Sequence, residues 1–143
     1  MKLTLTFDQT MFDAAIASQV ARLKTATQVA ANRLAAAIVR QAKINATTRP
    51  GPHVRTGRLR GSISVTEKVD LNGPGRYSRT MGVGVVYGRR IDLGFDGVDS
   101  IGRNYTGVHA QPPYPYFTPA VRFAQQIAGP AIFRQEWRKA LGG

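Results

Sequence analysis

Residues 55–63, Arg55-Thr56-Gly57-Arg58-Leu59-Arg60-Gly61-Ser62-Ile63, separate two parts of the chain that have different sequence patterns. The part before them is rich in alanine, and its apolar residues recur in steps of three and four. The part after them alternates apolar residues with glycines. The stretch contains three arginines, two glycines and no acid, and Pro50 and Pro52 lie just upstream. The pattern predicts that a long helix ends here and that a basic turn leads into the first strand of a sheet.

A long amphipathic helix is predicted over residues 10–46, a segment without proline or glycine. Its apolar stripe consists of Ile16, Val20, Leu23, Thr27, Ala30, Leu34 and Ile38. Such a helix measures roughly 50 Å at 1.5 Å per residue. A single small domain cannot cover a rod of that length with its own core, so we expect part of the stripe to pack on another subunit.

The remaining elements follow from alternation and turn residues. Residues 1–8 alternate as a short strand, and residues 47–61 form a basic loop. Residues 62–95 form a hairpin, with strands at 62–69 and 79–87, followed by a short segment that is either a helical turn or a bent strand. Residues 96–113 are a long loop, either an ordered binding loop or a mobile arm.

The last predicted element is a C-terminal helix over residues 117–141. Thr118 is the expected N-cap, with Pro119 in the first helical position. Gly129-Pro130 should kink this helix. The fold class is therefore α+β, a single domain over residues 1–143 in which a long N-terminal helix packs on a small antiparallel β-sheet, with a C-terminal helix.

The composition points to a globular chain with a strong positive charge. Of the 143 residues, 43% are apolar and none is cysteine, which fits a reducing compartment. Neither a signal peptide nor a membrane-spanning run is visible, so we expect a soluble, unsecreted protein. The net charge is +12, and nine bases but no acid lie between Asp13 and Glu67. This excess indicates a polyanion or an acidic protein as partner, the alternative being a solvated basic helix face.

Residues with catalytic or ligand-binding chemistry do not form a recognisable pattern. His53 and His109 have no Glu or Cys at ligand spacing, and Asp92, Asp96 and Asp99 do not match a calcium loop. We expect the acids to pair with basic neighbours. Ser62 and Ser64 lack a His/Asp partner set, and Gly82 and Gly84 do not continue as a phosphate-binding loop. The sequence therefore predicts no enzyme, no cofactor and no metal.

Aromatic residues cluster around residues 105–117 near Arg103. Such residues stack on bases in single-strand binders. The intervening prolines instead favour a rigid, packed segment. We therefore predict a core or interface role for Tyr114, Tyr116 and Phe117.

Three short motifs follow one another between residues 52 and 120. The first is Pro52 followed by Thr56-Gly57-Arg58-Leu59-Arg60-Gly61-Ser62-Ile63. The second runs from Val83 through Tyr87-Gly88-Arg89-Arg90-Ile91-Asp92-Leu93-Gly94-Phe95. The third is Pro115-Tyr116-Phe117-Thr118-Pro119-Ala120. In this order they resemble the motifs P-x-x-T-G-x-L-R-x-S-I, Y-A-x-x-x-E-x-G and P-x-P-F-L-x-P-A of the tail-completion, or head–tail joining, proteins of long-tailed bacteriophages. Gly88 and Asp92 stand where that family has alanine and glutamate, and Asp92 keeps an acid near the basic turn.

The resemblance implies a structural virion protein at the phage neck, made in the host cytoplasm. It implies a ring, commonly of six copies, that joins the tail to the DNA-filled head and lets DNA pass. The implied partners are the tail terminator, the head-closure protein and the tail tube, with non-specific contact to packaged DNA and no membrane. We expect contacts to DNA or an acidic partner at Arg49, Arg55, Arg58 and Arg60, and subunit contacts at Ile16, Val20, Leu23, Leu34, Tyr114, Tyr116 and Phe117.

Two other interpretations remain open at this point. The chain is alternatively a freestanding, non-specific nucleic-acid-binding protein, although it has no recognisable DNA- or RNA-binding motif. It is alternatively another neck ring, such as the tail terminator or the head-closure protein.

Overall fold

A computed structural model of the chain describes residues 9–49, 51–52, 57–70 and 77–143. The strand predicted over residues 1–8 and most of the predicted hairpin loop lie outside these ranges. The described residues form an α+β fold with a long N-terminal helix, an antiparallel two-stranded sheet and a C-terminal helical segment. The predicted fold class is confirmed.

Helix α1 spans Gln9–Thr47 and is the element against which the others pack. Its buried positions are mostly alanines, among them Ala26, Ala30, Ala35, Ala42 and Ala46. A methyl side chain lets a neighbouring backbone come close to the helix axis and costs no side-chain entropy on burial. The alanines therefore allow the sheet and the C-terminal helices to pack on α1 at close range.

The basic stretch is not the continuous loop that the sequence predicts. Arg58–Ser62 form a short helix, α2, which packs against α1. Gly57 precedes it with a φ of 72°, a left-handed conformation that glycine adopts without a Cβ penalty. The amide of Gly61 donates to the carbonyl of Gly57 at 2.8 Å, and this bond closes the helical turn.

Strands β1 (Ile63–Asp70) and β2 (Tyr77–Val83) form the antiparallel hairpin. Ile63 lies opposite Val83 and Val65 lies opposite Met81, so the apolar residues of both strands share a face. The register shifts between Val65 and Glu67, where Thr66 bulges. Strand β2 ends earlier than the predicted Tyr87, because the chain turns there into helix α3 (Gly88–Leu93).

The C-terminal segment consists of helix α4 (Phe117–Phe123), a π-helical turn (Ala124–Ala128) and helix α5 (Gly129–Leu141). The π turn ends at Gly129-Pro130, where the sequence predicts a kink. Pro130 has no N–H to donate, and its ring would meet the carbonyl of the preceding turn in a regular α-helix. A widened turn removes this clash and keeps the segment helical.

The hydrophobic core lies near the C-terminal end of α1, where α1, α2, β1 and α4 meet. It consists of Ile38, Ala42, Ala46, Leu59, Ile63, Tyr116, Ala120 and Ala124. Residues 96–113 form a loop with an isolated bridge from Phe95 to Gln111 across its ends and a second bridge from Val98 to Asn104. None of the described helices combines the length and the apolar content that a membrane span needs.

Candidate interaction surfaces

The three sequence motifs, which lie far apart along the chain, meet in one structural unit. Leu59 and Ile63 from the first motif and Tyr116 and Ala120 from the third belong to the same core. The carboxylate of Asp92, which belongs to the second motif, contacts the start of helix α4, which belongs to the third motif. The motif residues therefore build the fold, and the surfaces around this unit are the candidates for function.

Asp92 caps helix α4 from a separate part of the chain. One carboxylate oxygen accepts hydrogen bonds from the amides of Tyr116 and Phe117, both at 2.7 Å. The amide and the hydroxyl of Thr118 also donate to the carboxylate. These donors are the free N–H groups at the first turn of a helix, where the helix dipole also favours negative charge.

This arrangement corrects two sequence predictions. The N-cap of α4 is not Thr118: the helix begins at Phe117, and the Thr118 hydroxyl donates to Asp92. Asp92 is expected from the sequence to pair with a basic neighbour, but its carboxylate accepts hydrogen bonds from the start of α4. Burial raises the pKa of Asp92, but the hydrogen bonds from Thr118, Tyr116 and Phe117 outweigh this effect and hold the pKa below its ordinary value.

Tyr116 has the core role, one of the two roles predicted for it, and at 1% exposure it offers almost no surface to a second subunit. Its hydroxyl donates to the carbonyl of Gly88 at 3.1 Å. Burial and the nearby Asp92 carboxylate raise the pKa of Tyr116 to about 12. A Cβ on Gly88 would lie 2.7 Å from Val83 Cγ1 and 3.0 Å from the Tyr116 hydroxyl, so only glycine fits without displacing them.

The other predicted subunit contacts fall into two groups. Ile16, Val20 and Tyr114 are exposed at 47%, 43% and 43%. Leu34 and Phe117 pack against the core of their own chain, and Leu23 is half-buried. Only the first group is fully available to a second subunit.

The predicted basic contacts lie at one end of the described fold. Arg58 and Arg60 are exposed on α2, on either side of the buried Leu59. Arg49 is also exposed, two residues beyond the end of α1, on which α2 packs. Arg55 lies outside the described residues. Arg58 and Arg60 therefore present two positive charges to solvent from the same short helix.

Two acids, Asp99 and Glu136, are paired with basic side chains of the same chain. Asp99 accepts a hydrogen bond from Arg103 Nε at 2.7 Å and also lies near Arg90, while Glu136 pairs with Arg33 and Lys139. Burial raises the pKa of both acids, but hydrogen bonds and nearby positive charge outweigh it and hold each pKa below its ordinary value. For Asp99 these come from the amide and guanidinium of Arg103 and the amide of Ile101, and for Glu136 from Arg33 and Lys139. Where side chains are described, the exposed acids are Asp13, Glu67 and Asp96.

A groove that the sequence did not reveal lies beside the end of β2. It has a volume of about 530 Å³ and lies between the end of β2, α3 and the start of α4. Its walls are mainly apolar and include Val83, Val85, Val86, Leu93 and Phe117. The sequence pattern predicted Val85 as part of a strand, and the groove arises only because the chain turns at residues 84–87.

Side chains that could hold a metal ion do not cluster in the described part of the chain. There, no three His, Asp or Glu side chains converge on one point. His109 is exposed on a 3₁₀ turn (Gly107–His109), and His53 lies outside the described residues. A scan of protein-family models and searches of curated proteins and of solved structures find no match to this chain.

Proposed function

We propose that the chain is a structural subunit of a ring at the neck of a long-tailed bacteriophage, where it joins the tail to the DNA-filled head. The observation that carries this proposal is the convergence of the three motifs into one unit around Asp92 and Tyr116. Motifs that resembled the family only by order and spacing turn out to be parts of one packing arrangement. This arrangement is expected of motifs that define a fold, and it supports the proposal.

The surface properties support an assembly role. The first part of α1 carries exposed apolar side chains at Ile16 and Val20, which suits packing between subunits. The exposed arginines of α2 suit non-specific contact with DNA phosphates or with an acidic ring. In this proposal Arg58 and Arg60 supply charge without reading bases.

The direct test is assembly with neighbouring neck components. The purified chain, alone and mixed with the tail terminator and head-closure proteins of the same phage, is measured by light scattering at two salt concentrations and imaged by electron microscopy. We expect a closed ring, alone or with a partner. A chain that forms no ring, either alone or with these proteins, overturns the proposal.

A second candidate, non-specific nucleic-acid binding by the free chain, is favoured by the scarcity of exposed acids in the described surface. It predicts that the monomer binds duplex DNA and that the logarithm of its affinity falls linearly with the logarithm of the salt concentration. Steep salt-dependent DNA binding without ring formation would favour this second function over the neck role.

A further inference from the structure

The first turns of α1 project beyond the helices that cover the rest of it. Every residue from 13 to 22 is exposed, a length of about 15 Å at 1.5 Å per residue. Helix α5 runs antiparallel to α1: Gly129 lies beside Leu34, and the indole N–H of Trp137 donates a hydrogen bond to the hydroxyl of Thr27. Because α5 ends at Leu141, it does not extend along the first turns of α1.

The apolar stripe of α1 continues into this uncovered part. Its steps from residue 16 to residue 34 are four, three, four, three and four, which is the a/d repeat of a coiled coil. In the covered half, Thr27 accepts a hydrogen bond from Trp137, and Ala30 is fully buried. In the uncovered half, Ile16 and Val20 are 47% and 43% exposed. The projecting helix thus presents the continuation of a seam that is already in use within the chain.

We propose that a second copy of this chain occupies the seam, with its own α1 antiparallel to the first. Antiparallel coiled coils pack a positions against d positions. This rule places Ile16 opposite Val20 of the second copy, and Val20 opposite Ile16 of the second copy. The two-fold axis then crosses the seam midway between Ile16 and Val20, and the same contact occurs twice.

The charges on the seam favour the antiparallel arrangement over the parallel one. Asp13 occupies an a position, and Lys24 lies next to Leu23 at the edge of the seam. The side chains of Asp13 and Lys24 are exposed. In the proposed register Asp13 lies opposite Leu23 of the second copy and beside its Lys24, so an acid meets a base at each end. A parallel pair in register would place Asp13 against Asp13 of the second copy, which is unfavourable.

The size of the contact predicts a weak pair. A seam of about three turns buries less than the roughly 1,200 Å² at the low end of stable interfaces. The helix is already formed as part of a 39-residue element, so association does not have to nucleate it. A two-fold contact cannot by itself propagate around a cyclic ring. The pair is therefore a form of the free chain that a ring contact through Ile16 and Val20 would replace, and it does not depend on the proposed neck role.

The test is sedimentation equilibrium of the full chain over a concentration series. Ile16→Gln with Val20→Gln removes the apolar seam but keeps good helix formers. Ala15→Gln with Ser18→Gln changes exposed positions on the other side of the same turns and is the matched control. We expect a concentration-dependent dimer that the seam variant weakens at least tenfold, while the control matches the wild type.

A charge exchange tests the orientation. Asp13→Lys alone and Lys24→Asp alone should each weaken the dimer by on the order of fivefold, because two like-charge contacts replace two ion pairs. Chains that carry both changes should regain wild-type association. A wild-type chain that remains monomeric to about 1 mM, or a seam variant equal to its control, overturns the pair. A double exchange that restores nothing overturns the antiparallel arrangement. Ring formation with neck proteins is measured separately, so either proposal can fail without the other.

Discussion

Asp92 shows how a single residue links two distant segments of this chain. Its carboxylate accepts hydrogen bonds from three backbone amides and one hydroxyl at the start of α4, although Tyr116 lies 24 positions further along the chain. Tyr116 in turn returns a hydrogen bond to the carbonyl of Gly88, in the same short helix as Asp92. The two residues close a loop of interactions that fixes α3 against α4.

Replacing Asp92 with alanine should destabilise the fold. The change leaves the first amides of α4 without their acceptor, and lost N-cap bonds of this kind cost about 2 kcal/mol. Urea unfolding of the purified chain measures the loss, and Asp96→Ala, at an exposed position in the adjoining loop, is the control. Equal stability of the two variants would mean that water replaces the carboxylate at no cost.

Acid should weaken the fold through the same residue. The pKa of Asp92 is below its ordinary value of 3.8 in the folded chain, so folding favours the carboxylate. This contribution is complete above pH 3.8 and is lost as the pH falls through the lower folded pKa, because the unfolded chain takes up the proton first. Unfolding midpoints measured from about pH 5 to pH 3 should fall more steeply for the wild type than for Asp92→Ala. Parallel curves would contradict this role.

Helix α1 illustrates why an alanine-rich element is useful at the centre of a small fold. Ala42 and Ala46 are fully buried where α1 faces the core, whereas Ala14, Ala15 and Ala17 are exposed on the projecting turns. The same residue type therefore serves close packing at one end of the helix and helix propensity at the other.

Enlarging one buried alanine should separate these two uses. Ala42→Leu inserts a larger side chain into a filled core, and overpacking of this kind costs about 1–3 kcal/mol. Ala17→Leu, on the exposed turns of the same helix, should change stability by less than about 0.5 kcal/mol. Thermal unfolding followed by circular dichroism distinguishes the two variants. A neutral Ala42→Leu would show that the core of α1 can adjust its packing.

On the scale of the whole molecule, charge is distributed unevenly between the interior and the surface. Asp92, Asp99 and Glu136 are engaged with partners inside the fold, while many of the basic residues face solvent. The net charge of +12, with few exposed acids among the described side chains, sets the positive potential that a polyanion or an acidic ring would meet.

Removing charge from α2 should weaken polyanion binding without affecting the fold. Arg58→Ala with Arg60→Ala should lower the slope of log affinity against log salt by up to about 2, as the loss of two phosphate contacts predicts. Arg134→Ala with Arg138→Ala, at exposed positions on α5, is the control of equal charge. Fluorescence anisotropy with duplex DNA measures both. If the two pairs of substitutions lower the slope equally, the charge acts through the whole surface rather than through α2.

The sequence alone determined the features that depend on local periodicity. The long helix follows from uninterrupted steps of three and four between residues 10 and 46, and the hairpin from alternation on either side of a Gly/Pro turn. The position of the irregularity at Gly129-Pro130 follows from the chemistry of proline. Each of these signals lies within a few residues, so no knowledge of distant contacts is required.

Only the tertiary structure decided which residues are available for function. Leu59 lies between two arginines in the sequence but is 7% exposed, because α2 turns it towards α1. The sequence leaves Tyr116 as either a core or an interface residue, whereas in the fold its hydroxyl donates to the carbonyl of Gly88. Asp92 caps a helix that begins 25 residues later in the chain. Burial and capping partners are set by contacts across long stretches of chain. The local sequence pattern carries no information about those contacts, and for that physical reason only the fold shows which side chains are exposed.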